Sequence, residues 1–164
     1  MKKLALIIFI SFSFNALAQD FEVPENYVLK TKQDYAKYEK DFIKAVDWIT
    51  ATPLNKEMAK RKKAYQFIIH WLEGSPTVTV NLNGKIINAD FPPDCLLVYM
   101  GAYAKNIILQ KEKATALSNN LTAINTLITF YKKNKKQLGR NKTIEKYIKL
   151  QKKNKLEKFL KSKL

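Results

Sequence analysis

Ala114-Thr115-Ala116-Leu117-Ser118-Asn119-Asn120-Leu121-Thr122-Ala123-Ile124-Asn125-Thr126-Leu127-Ile128-Thr129-Phe130-Tyr131-Lys132-Lys133-Asn134-Lys135-Lys136-Gln137-Leu138-Gly139 is the stretch that decides the fold class. Ala114, Leu117, Leu121, Ile124, Ile128 and Tyr131 recur at gaps of three and four, and the phase continues through Lys135 to Leu138. Such gaps line up on one face of a helix. Leu127 and Phe130 add a second apolar row. Gly139 then supplies the left-handed backbone on which helices commonly end. A coiled coil would need this repeat elsewhere too, and no other stretch has it, so the stripe reads as a core-facing surface.

On the N-terminal side, Thr31-Lys32-Gln33-Asp34 resembles a capping box with Asp in the place of Glu. A helix is expected from there to about Ala51, with Tyr35, Tyr38, Phe42, Ala45/Val46 and Ile49 as its apolar stripe. A second helix is expected from Pro53 to Glu73, because Pro is tolerated at a first helical position. Leu54, Met58, Tyr65, Ile68/Ile69 and Leu72 form its face, Ala64, Phe67 and Trp71 widen it, and Lys60-Arg61-Lys62-Lys63 is its wet side. Thr77-Val78-Thr79-Val80-Asn81-Leu82 alternates like a strand, and Asn83-Gly84 is a hairpin signal with Lys85-Ile86-Ile87-Asn88 as the return. A third helix over 94–110 is apolar nearly all round, which belongs in the centre of a fold. A fifth helix is expected from Thr143 to about Lys153 and a short sixth over 155–161. Asn154, at the break in phase, tolerates a left-handed backbone. The fold class is therefore all-α: a compact array of five to six helices with a short β-hairpin or extended insertion near 77–88.

The chain has 164 residues, 46% of them hydrophobic, and a formal net charge of +16. That is one ordinary domain, too apolar for a disordered chain. Lys2 and Lys3, the apolar run Leu4 to Phe14 and Ala16-Leu17-Ala18 read as a secretory signal peptide over 1–18. The apolar run is too short to span a bilayer, and no Cys follows it to carry a lipid anchor. The expected mature unit is a single helical domain, 19–164, exported to the periplasm or beyond the cell and not lipid-anchored. Its charge is uneven: residues 132–164 carry 14 Lys/Arg against Glu145 and Glu157, whereas 19–131 is close to neutral. Only Arg61 and Arg140 are arginines. A specific nucleic-acid reader would use more Arg, whose planar fork reads bases and phosphates, and nucleic acid is not an expected partner of an exported chain.

Trp71-Leu72-Glu73-Gly74-Ser75-Pro76-Thr77-Val78-Thr79-Val80 and Leu97-Val98-Tyr99-Met100-Gly101-Ala102-Tyr103 resemble segments of an uncharacterised family of small exported helical proteins from Bacteroidetes-type bacteria. The resemblance implies an exported location and a helical fold. It implies no activity, cofactor or site residue.

Catalytic signatures are missing from the sequence: there is no Gly-rich phosphate loop, no G-x-S-x-G and no H-E-x-x-H. No cofactor and no metal ligand set is expected. Cys95 is the candidate reactive thiol, since the first turn of a helix lowers a thiol's pKa. Burial in an apolar helix opposes that effect, so a structural role is favoured. His70, the only histidine, reads as a satisfied core or rim residue. Gly101 inside the apolar helix signals close helix approach, or else a small pocket bounded by Tyr99, Met100 and Tyr103. The favoured function is a non-catalytic binding or interaction protein of the cell envelope. A small thiol-dependent enzyme and an anionic-surface or lipid-associated protein are the alternatives. Partners would be an envelope protein, a polysaccharide or an anionic lipid surface. If the export reading holds, mass spectrometry of the exported protein finds Gln19 as its N-terminus; a retained apolar segment contradicts it.

Overall fold

A computed structural model describes residues 21–164; the signal segment 1–18 expected from the sequence lies outside the described residues. Among the described residues there are seven α-helices: α1 (Lys32–Lys37), α2 (Glu39–Ala51), α3 (Met58–Gly74), α4 (Pro93–Gln110), α5 (Ala116–Leu138), α6 (Lys142–Lys152) and α7 (Leu156–Lys161). A single 3-10 turn, Lys111–Lys113, lies between α4 and α5, and the described residues contain no strand. The chain is all-helical, as its periodicity implies.

The capping box opens α1 as expected: Asp34 N–H donates to Thr31 Oγ1 (3.3 Å) and Thr31 N–H donates to Asp34 Oδ2 (2.8 Å). Backbone N–H groups of Thr31 and then Lys30 hold the Asp34 carboxyl below its usual range. The expected single helix over 31–51 is divided at Tyr38, which leaves helical geometry (φ −97°, ψ 5°). Its ring packs edge-on against Tyr27 and Phe67 there, each at 6.3 Å.

The expected start of the next helix at Pro53 is too early. Residues 52–57 form a turn with Lys56 N–H on Pro53 O (3.0 Å), and Glu57 is left-handed (φ 48°). Arg61 holds the turn out of the helix: its guanidinium donates to the carbonyls of Ile49 (3.1 Å), Thr52 (2.5 Å) and Pro53 (3.1 Å). Arg61 is thus buried rather than on the wet side, and Met58, expected on the apolar face, is 72% exposed. The inner face of α3 is Arg61, Ala64, Phe67, Ile68 and Trp71.

α4 and α5 form the most extensive helix pair; α2 and α3 pack on α4, and α6 and α7 on α5. α4 buries side chains around its circumference, among them Leu97, Val98, Tyr99, Ala102 and Tyr103. α5 buries Ala123, Ile124, Leu127, Ile128, Phe130 and Tyr131 as its stripe implies. The stripe does not continue to Lys135. Asn134 leaves helical geometry (φ −111°, ψ 17°) and takes the buried position, fully enclosed. Its Nδ2 donates to Phe130 O (3.0 Å) and its Oδ1 accepts from Leu54 N–H (2.9 Å). Gly139 (φ 70°) ends α5 as expected.

Of the two forms expected near 77–88, a hairpin or an extended insertion, the hairpin does not form. A type I′ turn needs positive φ at both central residues, and neither Asn83 nor Gly84 has it. Asn83 O instead accepts from the N–H groups of both Ile86 and Ile87 (2.8 Å each), closing one helical turn. The adjacent Ile86 and Ile87 are both buried. A return strand would have sent one of them to solvent. The loop is tied to α6: Tyr147 OH donates to Ile86 O (2.5 Å) and Asn141 Nδ2 to Asp90 O (2.7 Å).

Asn154 is left-handed (φ 53°), as its position between two apolar stripes implies, and turns α7 back onto the body. Leu156 (4% exposed) and Leu160 (0%) reach the core, and Phe159 packs near Tyr147 (6.0 Å). Truncation after Lys153 removes both leucines. At about 1.5–3 kcal/mol for each fully buried side chain, the cost is about 3–6 kcal/mol, read as a lower midpoint in urea. A truncated chain that melts like the parent contradicts docking of α7.

Candidate functional site

The candidate thiol is enclosed. Cys95 lies in the first turn of α4 with no exposed surface. Burial, and then the charge of Asp94, pushes its pKa up to about 12. Desolvation therefore outweighs the favourable helix terminus, and the group is a thiol at neutral pH. His70 is at the rim, with Nδ1 2.6 Å from Tyr27 OH.

The four pocket candidates are separated by the fold. Tyr99 is fully buried and donates to Asn120 Oδ1 (2.6 Å), with Tyr103 beside it at 6.0 Å between ring centres. Gly101 faces α2, where an added Cβ would lie 2.9 Å from Val46 Cγ2, so this glycine permits close helix approach. Met100 alone reaches a surface groove, between α3 and residues 75–80.

The basic third is an outward face of the folded body. α6 opens on Asn141, whose Oδ1 accepts from Ile144 N–H (3.0 Å). It buries Ile144, Tyr147 and Ile148 and turns its lysines to solvent. Tyr131 OH donates to Gly139 O (2.9 Å) and accepts from Asn141 N–H (2.9 Å), fixing α6 against the end of α5. Thirteen of the 14 basic side chains in 132–164 are exposed. Among the described residues only Lys135 of this set has a carboxylate within ion-pair reach, that of Glu145. Their hydrogen bond raises the Lys135 pKa and lowers that of Glu145. A surface cavity of about 600 Å³ is lined by Lys132, Lys133, Lys135, Lys136 and Gln137. Lys133 also donates to Ala51 O at the end of α2, and a cation is favourable at a helix C-terminus.

Two features escaped the sequence reading. The larger cavity, about 700 Å³, lies between the N-terminal arm, α2 and α3, and mixes Glu22, Glu25 and Asp41 with Lys60 and Lys63. It is assembled from distant segments, so no local pattern announces it. The second is a set of polar contacts between helices. Asn106 Nδ2 donates to Asn119 Oδ1 (2.7 Å), Thr122 Oγ1 to Asn106 Oδ1 (3.1 Å), and Tyr65 OH to Asp94 Oδ1 (2.7 Å). The one signal for Arg61 was an arginine inside a run of lysines.

Among the described residues no group of three or more His, Cys, Asp or Glu could hold a metal ion, and no helix is long and apolar enough to cross a membrane. The chain matches no protein-family model, no curated protein and no solved structure.

The buried acids of the core set the alkaline behaviour. Burial raises the pKa of Tyr65 and Tyr99, pushes Tyr147 up to about 12, and does the same to Cys95. Unfolded, these groups lose their protons at ordinary values of 9.0 for Cys and 10.0 for Tyr. Above those values the unfolded state binds fewer protons than the folded one, so stability falls as pH rises. Urea midpoints are expected to drop progressively between about pH 9 and 12, and a flat profile there contradicts enclosure of these groups.

Proposed function

We propose that this protein is an exported, non-catalytic binding protein that engages an anionic component of the cell envelope, lipid or polysaccharide, through the lysine face of α5, α6 and α7. One observation carries the reading. The basic third is folded, its apolar side chains are in the core, and its lysines are exposed with a single ion pair among the described residues. Unpaired lysines on a rigid body produce a directed positive field. Lysine is a hydrated point charge on a flexible stem, which suits an extended anionic surface better than one stereospecific ligand. The signal-like N-terminus and the resemblance to exported helical proteins support the same location. The thiol-dependent alternative lacks a comparable support, because Cys95 is enclosed and protonated.

Lys149, Lys152 and Lys153 are exposed. Each lysine close to an anionic bilayer contributes about 1 kcal/mol, so replacing all three by Gln should weaken binding to phosphatidylglycerol vesicles about a hundredfold at low salt. Co-sedimentation checks this, with an acidic polysaccharide column as the parallel arm. Added salt should release the native protein from either. Equal binding by native and triple-substituted chains, or binding indifferent to salt, contradicts the reading.

A further inference from the structure

The segment between α3 and the Asn83 turn has the composition of a strand and no strand to pair with. It runs without turn or bend over residues 78–83, and none of them has a positive φ. Among the described residues, 76–82 make no backbone hydrogen bond at all. Burial alternates from Thr77 to Asn81: Val78 is buried and Val80 half-buried, whereas Thr77, Thr79 and Asn81 are exposed, and the next residue, Leu82, is exposed as well. Beside it is a groove of about 400 Å³ formed with Ile69, Leu72, Glu73 and Met100. The Ser75 hydroxyl lines this groove and is buried without a hydrogen-bond partner. Exposed backbone donors and acceptors on a β-branched segment are a template for another extended chain.

The charges at its two ends say which chain. Residues 74–84 carry no charge, and the stretch is bounded by Glu73 and Lys85. In an antiparallel pair of identical segments with Thr79 opposite Thr79, Val78 of each copy faces Val80 of the other. The antiparallel direction also brings the end that follows Glu73, in the last turn of α3, toward the end that leads into Lys85, in the Asn83 turn of the other copy. The valines then share the buried side, the threonines share the exposed side, and the two ends are opposite in charge. A two-fold interface requires such self-complementarity. We propose that residues 77–82 pair antiparallel with the same segment of a second copy, forming a two-fold dimer centred on Thr79.

Residues directly opposite in an antiparallel pair have Cα atoms about 4.5–5.5 Å apart, within the range that a disulfide bridges. Thr79→Cys is therefore expected to cross-link into a covalent dimer on mild oxidation. Asn81→Cys should not, because its two copies lie roughly 13 Å apart along the strands. Both positions are exposed and Cys95 is buried, so thermal melts should match the parent. In sedimentation equilibrium the native protein should dimerise. Glu73→Lys should weaken the dimer about tenfold at low salt, and the double variant Glu73→Lys/Lys85→Glu should restore it. A native protein that stays monomeric at every concentration overturns the proposal, including the case in which it captures a foreign extended peptide instead. Equal cross-linking at 79 and 81, or failure of the double variant to restore dimerisation, overturns the register.

Discussion

Helix α4 is apolar nearly all round and buries most of its circumference, and the rest of the structure is arranged around that constraint. Its buried residues run from Cys95 to Asn106 and surround the helix axis. Apolar surface left in water is unfavourable in proportion to its area, so neighbours must close on α4 from several directions. α5 supplies the longest covering stripe, and α2 and α3 cover other sides. Gly101 lets Val46 come close enough that any side chain there would collide. Asn106 with Asn119 and Tyr99 with Asn120 are buried polar pairs across the interface and help to fix how α4 and α5 are aligned. A buried amide without that partner would be costly, so a shifted alignment is disfavoured.

Arg61 and Asn134 do comparable work where α2 ends. The last carbonyls of a helix have no partners within it. Ile49, Thr52 and Pro53 give theirs to the Arg61 guanidinium, and Ala51 gives its own to Lys133. Among the described residues no carboxylate pairs with Arg61; Tyr65 accepts from it and donates its own proton to Asp94. A planar fork holds its donors in fixed directions toward several carbonyls, an arrangement that the compact ammonium group of lysine lacks. Asn134 holds Leu54 from the other side, so the α2–α3 turn is gripped by α3 and α5 together.

The same packing fixes the charge distribution. Ile144, Tyr147, Ile148, Leu156 and Leu160 are drawn into the core, and the lysines between them are left on the outside of short helices. Tyr147 and Asn141 tie these helices to the 83–90 loop. The basic region is thus a face of the body rather than a loose tail, and its charges keep a fixed relation to the fold.

Helix class, the α4 and α5 spans, the capping box, the stop at Gly139 and the left-handed Asn154 were all legible in the sequence. Each depends on residues within a few positions of one another: apolar period, cap chemistry and backbone tolerance. The uneven charge was legible too, because it is a sum over residues. The break at Tyr38, the late start of α3, the burial of Arg61 and the kink at Asn134 were not. Each is decided by a partner far along the chain: Phe67 for Tyr38, the α2 carbonyls for Arg61, Leu54 for Asn134. The 77–88 segment shows the contrast most directly. Its residues prefer a strand and its Asn-Gly prefers a hairpin. The core nevertheless takes both Ile86 and Ile87, and burying two adjacent isoleucines is incompatible with an alternating strand. Local preference is worth a fraction of a kcal/mol per residue to about 1, whereas full burial of a large apolar side chain is worth about 1.5–3 kcal/mol. Where the two disagreed, tertiary packing decided.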